Sequence, residues 1–470
     1  MPILHKSHNL FSKNIVLHYF DTLIHFDKQI TLHLQGESIE TRPSPSNGIW
    51  CAFLLPAILI TYSCYDEVSL MYKLISCTSI TLLIQSIIFS VFLFTSSEIV
   101  NKTPVTCIAS GLVTTITTLL FLKQGLWFSI TFPLISTLLF EWMLEISIKK
   151  CYRTFTIGEA MIMAQSTVLF SCIFTVKLFY KLYSNDEEID FISTIICTVL
   201  CGVLLIVMAL HYLSDNQRNI KTLGYIVGFG AFFVLFTLHY IMGSKCLITI
   251  YSYIFMGKNR VKIFIFWLIL LIISICVLFV RTKIGVKAST VTRKSFHIFA
   301  SLVFMTGIIF DVNLMTFAAG IGFAVLIFVE ALRKSGIEPV SSALQSAFLV
   351  YSDEKDCGVF AMTPIYLYIG LAFPLIVVPS KINSELELLS GVLSIDSNRT
   401  FEGTAFNILS QIGVVYALQF LNLLNDNSAL LRTIFAATIS GLVEAKTDQV
   451  DNLVLPLVTL LAFQFTWVFC

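Results

Sequence analysis

The chain has few charged residues and no stretch typical of a soluble domain. Only 13% of its 470 residues are charged, whereas 56% are hydrophobic and the mean hydropathy is +0.85. Soluble domains carry about 25% charged residues. Apolar runs close to the roughly 20 residues that cross a bilayer recur along the chain. The composition excludes a soluble protein and predicts an all-α, polytopic transmembrane helical bundle of about 13–15 spans.

Features of several other protein classes are also missing. The formal net charge is +1 and there is no long basic tract, so nothing in the sequence would attract nucleic acid. The 12 cysteines form no CxxC pair and lie mostly inside apolar runs. We interpret them as small core residues rather than metal ligands or disulfides. The first 47 residues lack the compact apolar core and cleavage site of a signal peptide, which predicts a retained tail.

The apolar runs predict a tail and two transmembrane halves. We place the tail at 1–48, the N-terminal half at 49–256 and the C-terminal, catalytic half at 257–470. The predicted spans are 49–65, 74–95, 105–122, 126–146, 160–180, 192–213, 223–242, 264–280, 296–310, 314–332, 359–378, 386–395, 405–424, 429–443 and 453–469.

One of these spans is too short to cross a membrane. The basic loop at 281–294 is predicted to be cytosolic by the positive-inside rule, and counting onward keeps 353–356 on that side. The return crossing then begins at 386 but ends at Ile395, before Asp396. Its apolar length covers about 15 Å, half of a hydrocarbon core. The topology therefore fails at this point.

Four polar clusters interrupt the apolar background of the C-terminal half. Each lies at the mouth of an apolar helix, where a water-soluble substrate and a lipid headgroup can meet. Phosphoryl transfer needs this mixture, because carboxylates hold the divalent ion while cations and helix N-termini hold phosphate oxygens. The alternative is that these charges are solvated caps that only fix topology. The clusters are RKSFH at 293–297, DEKDCG at 353–358, RTFEGT at 399–404 and EAKTDQVDN at 444–452.

Within the clusters, single residues have two possible roles each. Asp353 and Asp356 are three residues apart, so they face the same side if this loop is helical, which suits a metal or nucleotide site. His297 follows two cations and suits proton transfer, although interfacial anchoring explains it equally well. Thr404 offers a hydroxyl to phosphate, but threonine is also an ordinary helix cap.

The order of these motifs resembles that of the dolichol kinase family, which is related to phytol kinases and phosphatidate cytidylyltransferases. The Asp-Glu-Lys-Asp and Asp-Asn-Leu segments are the most specific. The matching stretches are FTIGEAMIMAQ from Phe155, RKSFH from Arg293, the helix-end residues Glu330 and Arg333, SDEKDCG from Ser352, LSGVLSI from Leu389, RTFEGT from Arg399 and EAKTDQVDNLVLPL from Glu444.

The resemblance implies that the terminal phosphate of CTP is transferred to dolichol, giving dolichyl phosphate for protein glycosylation. It implies an enzyme of the endoplasmic reticulum membrane with its active site facing the cytosol, and it implies that a divalent cation, Mg²⁺, takes part. The expected catalytic residues are Asp353, Lys355, Asp356 and His297. The expected nucleotide-binding residues are Arg293, Lys294, Arg399, Thr400, Glu402, Gly403 and Thr404, and the expected metal ligands are Asp356, Asp448 and Asp451.

The sequence departs from the family pattern at one place. In the family, the helix matching LSGVLSI continues into a Gly-Asp segment, a small-residue helix and a basic loop before the Thr-x-Glu-Gly-Thr motif. Here Ile395 runs directly into Asp396 and Arg399 follows at once. The junction coincides with the span that is too short. We interpret it as the product of a skipped exon and predict that this chain is weakly active or inactive.

Two other functional classes compete with a lipid kinase. A transporter would explain many spans, but it predicts broken helices and polar groups near the bilayer midplane, often in repeated halves. The polar clusters lie at helix ends instead, and no internal repeat is evident. A non-catalytic isoform derived from the enzyme is the third reading, and the missing segment favours it.

Overall fold

A computed structural model provides the architecture of the protein. Within the residues that it describes, all regular secondary structure is helical and no strand occurs. This confirms the predicted all-α class. The described residues are 25–36, 39–65, 68–95, 103–180, 187–284, 290–352, 356, 358–379, 385–394, 401–424 and 426–466.

The helices follow the apolar runs closely, with three helices that the sequence analysis did not predict, α1, α9 and α13. They are α1 (25–36), α2 (Leu54–Ser63), α3 (Leu70–Thr95), α4 (Thr103–Leu120), α5 (Leu126–Glu145), α6 (Ile157–Tyr180), α7 (Glu187–His211), α8 (Ile220–Met242), α9 (Cys246–Phe255), α10 (Lys258–Ile284), α11 (Thr290–Phe310), α12 (Val312–Lys334), α13 (Val340–Tyr351), α14 (Met362–Val377), α15 (Glu385–Leu388), α16 (Ser390–Leu393), α17 (Phe401–Phe420), α18 (Ala429–Lys446) and α19 (Asp451–Thr466).

Seven helices in the described part of the chain are long and apolar enough to cross a membrane, and several shorter apolar helices accompany them. Large apolar side chains point away from the protein, including Trp127 at 81% exposure and Leu120 at 67%. A hydrocarbon environment accommodates such side chains. The predicted polytopic helical bundle is therefore confirmed. The seven are Leu70–Thr95, Leu126–Lys150, Ile157–Lys177, Asp190–His211, Ile220–Met242, Asn259–Lys283 and Val312–Lys334.

The chain forms two compact units. The first comprises Met1–Pro56 and Lys73–Ile173, and the second comprises Ala57–Tyr72 and Phe174–Cys470. The predicted division into a tail and two halves is drawn from the apolar runs and the polar motifs, not from contacts between helices. That division stays a prediction.

The first unit has a polar interior held by hydrogen bonds. Arg42 forms a buried ion pair with Glu159, whose carboxylate lies 2.5 Å from the guanidinium. Thr156 and Glu159 exchange hydrogen bonds between side chain and backbone, a capping box at the start of α6. The segment FTIGEA, which contributed to the family resemblance, therefore has a structural role: it caps the start of α6 and pairs with Arg42.

In the second unit, the helices that carry the polar clusters pack on one another in succession. α11 packs on α12 and α14, α14 packs on α19, and α19 packs on α18, which in turn packs on α17. The helix ends that bear the clusters are thus parts of one packed body. This succession positions the candidate site.

Two glycines allow three helices of this unit to approach closely. A Cβ atom added at Gly370 in α14 would lie 2.0 Å from the carbonyl oxygen of Asn452, at the start of α19. A Cβ added at Gly391 in α16 would lie 2.5 Å from the carbonyl oxygen of Gly370. Any side chain at either position would collide with backbone, so α14 meets both partners at backbone contact distance.

Residues 385–394 are the described part of the predicted return crossing. The described part of 386–395 contains only α15 and α16, each four residues long. Beyond them, the Ser394 hydroxyl donates a hydrogen bond to Thr459 Oγ1 at 2.9 Å. Since Thr459 lies midway along α19, the described return segment reaches only the middle of that helix. The junction at 396–400 lies outside the described residues.

A buried charge network joins this return segment to the helices around it. Arg432 on α18 donates to Glu387 of α15 at 2.7 Å and to Thr466 of α19 at 2.9 Å. The Tyr62 hydroxyl of α2 donates to the other oxygen of Glu387. Arg432 is 2% exposed and Glu387 is fully buried. Each charge therefore has a partner in a region from which water is excluded.

The connection between α17 and α18 adds a second carboxylate to this network. Asp426 lies 3.2 Å from Arg432 and accepts hydrogen bonds from the backbone and hydroxyl of Ser428. Partial burial opposes ionisation of Asp426, but these hydrogen bonds and the guanidinium outweigh it and hold the pKa of its carboxyl below the ordinary value. The carboxylate form is therefore favoured at neutral pH.

The network predicts a non-additive pair of substitutions. R432M leaves Glu387 buried without its cation and should lower the stability by on the order of 3 kcal/mol, whereas R432M combined with E387Q should recover most of that loss. Thermal unfolding of the detergent-solubilised protein measures both. D215N, at a side chain that is 93% exposed, serves as the control and should change little. Additive losses in the double variant would contradict the pairing.

Candidate functional site

The first candidate element is the start of α11, which carries the RKSFH motif. Lys294 and His297 lie in its first turns and are half-buried. The Phe296 ring contacts the Tyr351 ring edge-on, with centroids 5.2 Å apart. Tyr351 is the last residue of α13, directly before Ser352. The structure thus brings the RKSFH motif beside the start of SDEKDCG. Arg293 belongs to α11, but its side chain is not among those described.

The described part of SDEKDCG leads into α14. Asp356 accepts a hydrogen bond from the Thr363 backbone N–H at 3.0 Å through Oδ1. Thr363 is in the first turn of α14, where backbone N–H groups lack intrahelical partners and attract anions. Asp356 therefore stabilises a helix start, a role that the sequence analysis did not assign. Asp353 and Lys355 lie outside the described residues.

An ion pair at the end of α12 holds the segment that follows Asp356. Glu330 and Arg333 form a two-pronged contact of 2.5 and 2.8 Å. Glu330 also accepts the Ala361 N–H at 2.9 Å, and Arg333 donates to the Val359 carbonyl at 3.4 Å. The pair thus binds two backbone groups of the segment.

The same guanidinium contacts α13. Arg333 donates to Gln345 Oε1 at 2.5 Å and lies 4.5 Å from the centre of the Phe348 ring. Arg333 is only 7% exposed. One side chain therefore connects α12, α13 and the residues before α14. The sequence analysis noted Glu330 and Arg333 but gave them no role, although their spacing of three at a helix end is typical of a helical ion pair.

The RTFEGT motif opens α17. Glu402 is exposed in the first turn, and Gly403 and Thr404 are half-buried. A Cβ atom added at Gly441 of α18 would lie 3.3 Å from the Thr404 methyl group, so the motif packs against the last turns of α18. Arg399 and Thr400 lie outside the described residues.

A buried polar contact continues from this motif into the interface between α17 and α18. The Asn407 amide donates to Glu444 Oε2 at 2.6 Å, and the Gln411 amide donates to Asn407 Oδ1 at 2.9 Å. Glu444 is 1% exposed. The sequence analysis included Glu444 in a cluster but not among the site residues. Asn407 and Gln411 were missed, because single amides inside an apolar run carry no motif.

The remaining metal candidates lie where α18 ends and α19 begins. Asp448 is half-buried, and Asp451, the first residue of α19, is 8% exposed. Among the described residues, no three His, Cys, Asp or Glu side chains are close enough together to hold a metal ion. Asp353 is outside that set. The assignment of Asp356, Asp448 and Asp451 as metal ligands stays a prediction.

These observations define a class of protein. The second unit combines apolar, membrane-crossing helices with carboxylates, cations and helix starts at helix ends, a combination suited to an integral membrane enzyme that modifies a lipid.

The chain belongs to the dolichol kinase family. The family model described as dolichol kinase matches residues 77–380, which is more than half of the chain. This region includes the RKSFH and SDEKDCG motifs and ends before RTFEGT. Membership in this family does not favour the alternative interpretation of the chain as a transporter. No solved structure matches the chain.

Curated relatives agree with the family model. The chain is 27% identical to the dolichol kinase of Mus musculus over 353 residues, covering 66% of this chain and 65% of the relative. It is 26% identical to that of Bos taurus over 398 residues, covering 76% and 73%, and 26% identical to that of Homo sapiens over 355 residues, covering 66% and 65%. The chain therefore spans slightly less than two thirds of the mouse and human proteins that it matches.

The ion pair at the end of α12 yields a test of its structural role. E330A removes the acceptor of the Ala361 N–H, so amide exchange at Ala361 should become at least about tenfold faster. R333K keeps the charge but loses the two-pronged contact, and should have a smaller effect. Hydrogen–deuterium exchange of the full chain in detergent measures both.

E145Q provides the matched control, since Glu145 forms an exposed ion pair with Lys149. It should leave exchange at 358–361 unchanged. Equal exchange at Ala361 in E330A and the unmodified chain would show that the ion pair does not hold this segment.

Proposed function

We propose that this protein is a lipid kinase that transfers the terminal phosphate of CTP to the hydroxyl group of dolichol. The oxygen of the alcohol forms a bond to the terminal phosphorus, the bond to CDP breaks, and the products are dolichyl phosphate and CDP. The contact of Phe296 with Tyr351 carries the proposal, because it joins two family motifs beside one helix start. Family membership supports the same reaction.

The cations and helix starts of the site are suited to a triphosphate. In this proposal, phosphate oxygens are bound near the RKSFH motif and at the start of α17, where positive side chains and backbone N–H groups neutralise their charge. The nucleotide-binding residues in this proposal are Arg293, Lys294, Arg399, Thr400, Glu402, Gly403 and Thr404.

The carboxylates are suited to a divalent cation. In this proposal Asp356, Asp448 and Asp451 would be the oxygen ligands of Mg²⁺, and they would have to come together around the ion, because they do not form a three-ligand group in the described structure. The bound ion would neutralise charge on the phosphates. The hydrogen bond from Thr363 fixes the orientation of the Asp356 carboxylate. Asp353 and Lys355 complete the catalytic group, and His297 assists proton transfer from the alcohol.

The proposed location is the endoplasmic reticulum membrane, with the site facing the cytosol. The basic residues 281–294 before the RKSFH motif support this orientation through the positive-inside rule. CTP would then be drawn from the cytosol, and dolichol from the membrane.

A second candidate is a non-catalytic isoform of the enzyme. It is favoured by the four-residue lengths of α15 and α16 and by the Ser394–Thr459 contact midway along α19. A full crossing needs about 20 helical residues, and in this candidate the segment that would complete the return is absent. The same segment in the family carries a Gly-Asp pair, whose carboxylate would be lost.

The proposed reaction and the absent segment of the second candidate together predict the activities of a matched pair of proteins. Membranes that contain this chain should form little dolichyl phosphate from CTP and dolichol, whereas a version with the family's Gly-Asp segment inserted between Ile395 and Asp396 should be active. In the active version, D451N should lower kcat by at least about 100-fold if Asp451 serves the phosphates. D215N is the control and should have no effect.

The two functional candidates separate in this assay. Activity only in the restored version supports a kinase family whose present chain is a defective isoform. Activity in both versions would show that the absent segment is dispensable, and inactivity in both would contradict the proposed reaction.

A further inference from the structure

The interface between α17 and α18 contains more polar side chains than helix packing requires. The two helices run antiparallel, and Asn407 faces Glu444. One turn further into the bundle, the same register brings Gln411 of α17 to the level of Ser440 of α18. All four are at most 3% exposed. We call Asn407, Gln411, Ser440 and Glu444 the α17–α18 polar patch.

Two atoms of this patch are buried without a hydrogen-bond partner among the described residues. They are the side-chain oxygen of Gln411 and the hydroxyl oxygen of Ser440. Gln411 is 1% exposed and Ser440 is fully buried. Buried polar groups are nearly always paired, because an unpaired group loses its interaction with water and gains nothing in return. Both atoms therefore require an explanation.

Helix association alone does not supply that explanation. Amides and carboxylates often join membrane helices by hydrogen bonds, and the Asn407–Glu444 contact is such a bond. Among the described residues, Gln411 Oε1 and Ser440 Oγ contribute no such bond between the helices, so helix association does not account for these two atoms.

The chemistry of the patch restricts what it can bind. An amide oxygen accepts a hydrogen bond, while a serine hydroxyl can donate one, so together they match a group that both donates and accepts. An alcohol is such a group. The Glu444 carboxylate opposes an anion, which disfavours a phosphate ester at the same place.

The surroundings of the patch suit a hydrocarbon chain. Phe406 and Leu409 on α17 and Leu442 on α18 are 72%, 66% and 60% exposed, and they face outward from the bundle. Ser440 and Gln411 lie about 10 Å along the helices from the Thr404 end. A long-chain alcohol can therefore place its tail in lipid and its hydroxyl between the two helices.

We propose that the α17–α18 polar patch binds the hydroxyl end of a long-chain lipid alcohol. Gln411 Oε1 accepts the hydrogen bond of the alcohol, and the Ser440 hydroxyl donates one to it. This inference rests on the proposed function, for which it identifies a site that holds the acceptor lipid before its hydroxyl reaches the nucleotide near Thr404. It concerns binding alone, so it applies to this chain whether or not the chain transfers phosphate.

Dolichol binding to the full chain in lipid nanodiscs tests the proposal. Radiolabelled dolichol should bind about tenfold more weakly to S440A and to Q411M, which corresponds to the loss of one hydrogen bond. T438V is the matched control, because Thr438 is an exposed hydroxyl on α18 bonded only to its own helix, and it should bind within about twofold of the unmodified chain. Dolichyl methyl ether and dolichyl phosphate should compete poorly.

Thermal unfolding distinguishes this role from a structural one. Because Ser440 Oγ is unpaired within the described residues, S440A should unfold at the same or a higher temperature than the unmodified chain without dolichol. Weaker dolichol binding in a variant that is no less stable supports the binding site. Unchanged dolichol affinity in S440A and Q411M, or equal competition by the methyl ether, would overturn it.

The experiment also separates this inference from the proposed reaction. Hydroxyl-dependent dolichol binding without phosphorylation in the restored version would contradict the kinase activity and leave the patch intact. If the restored version phosphorylates dolichol but S440A and Q411M bind dolichol with unchanged affinity, the proposed binding at the patch is contradicted and the proposed kinase activity is not.

Discussion

In hydrocarbon, a polar side chain has no water to replace a missing partner, and this constraint decides where the few charges of the chain lie. Arg432 illustrates it, because a fully buried guanidinium is paired with Glu387 and bonded to Thr466. Glu330 and Arg333 satisfy one another and two backbone groups in the same way. The helices of the second unit are thus held in register by their charges as well as by apolar packing.

Much of the fold could be predicted from the sequence, because bilayer thickness sets helix length. α8 begins three residues before its predicted start and ends where predicted. The truncation of the return at 386–395 stays a prediction. α13 was missed because its twelve residues are too short for a span and no charge pattern separates them from a loop. The Arg432–Glu387 pair was also missed, since 45 residues separate the partners and nothing local connects them.

The candidate site was predictable in its motifs but not in its contacts. The order of the motifs placed His297 and Asp356 in one functional group. In the structure, α11, which contains His297, packs against α14, which follows Asp356. The hydrogen bond between Asp356 and Thr363 depends on where α14 begins, which apolar content alone does not define. Gln411 and Ser440 come to one level only through the antiparallel register of α17 and α18.

The close approach at Gly370 and Gly391 has a consequence for the variation that the family can tolerate. Lipid-facing positions such as Phe406 can exchange among apolar residues freely, because lipid adapts to their shape. Gly370 cannot, since even a methyl group would occupy the position of the Asn452 backbone. We therefore expect evolutionary drift over most of these helix surfaces, with two invariant backbone contacts beneath them. Most missense changes at these two codons would be selected against, whatever happens to the chemistry of the site.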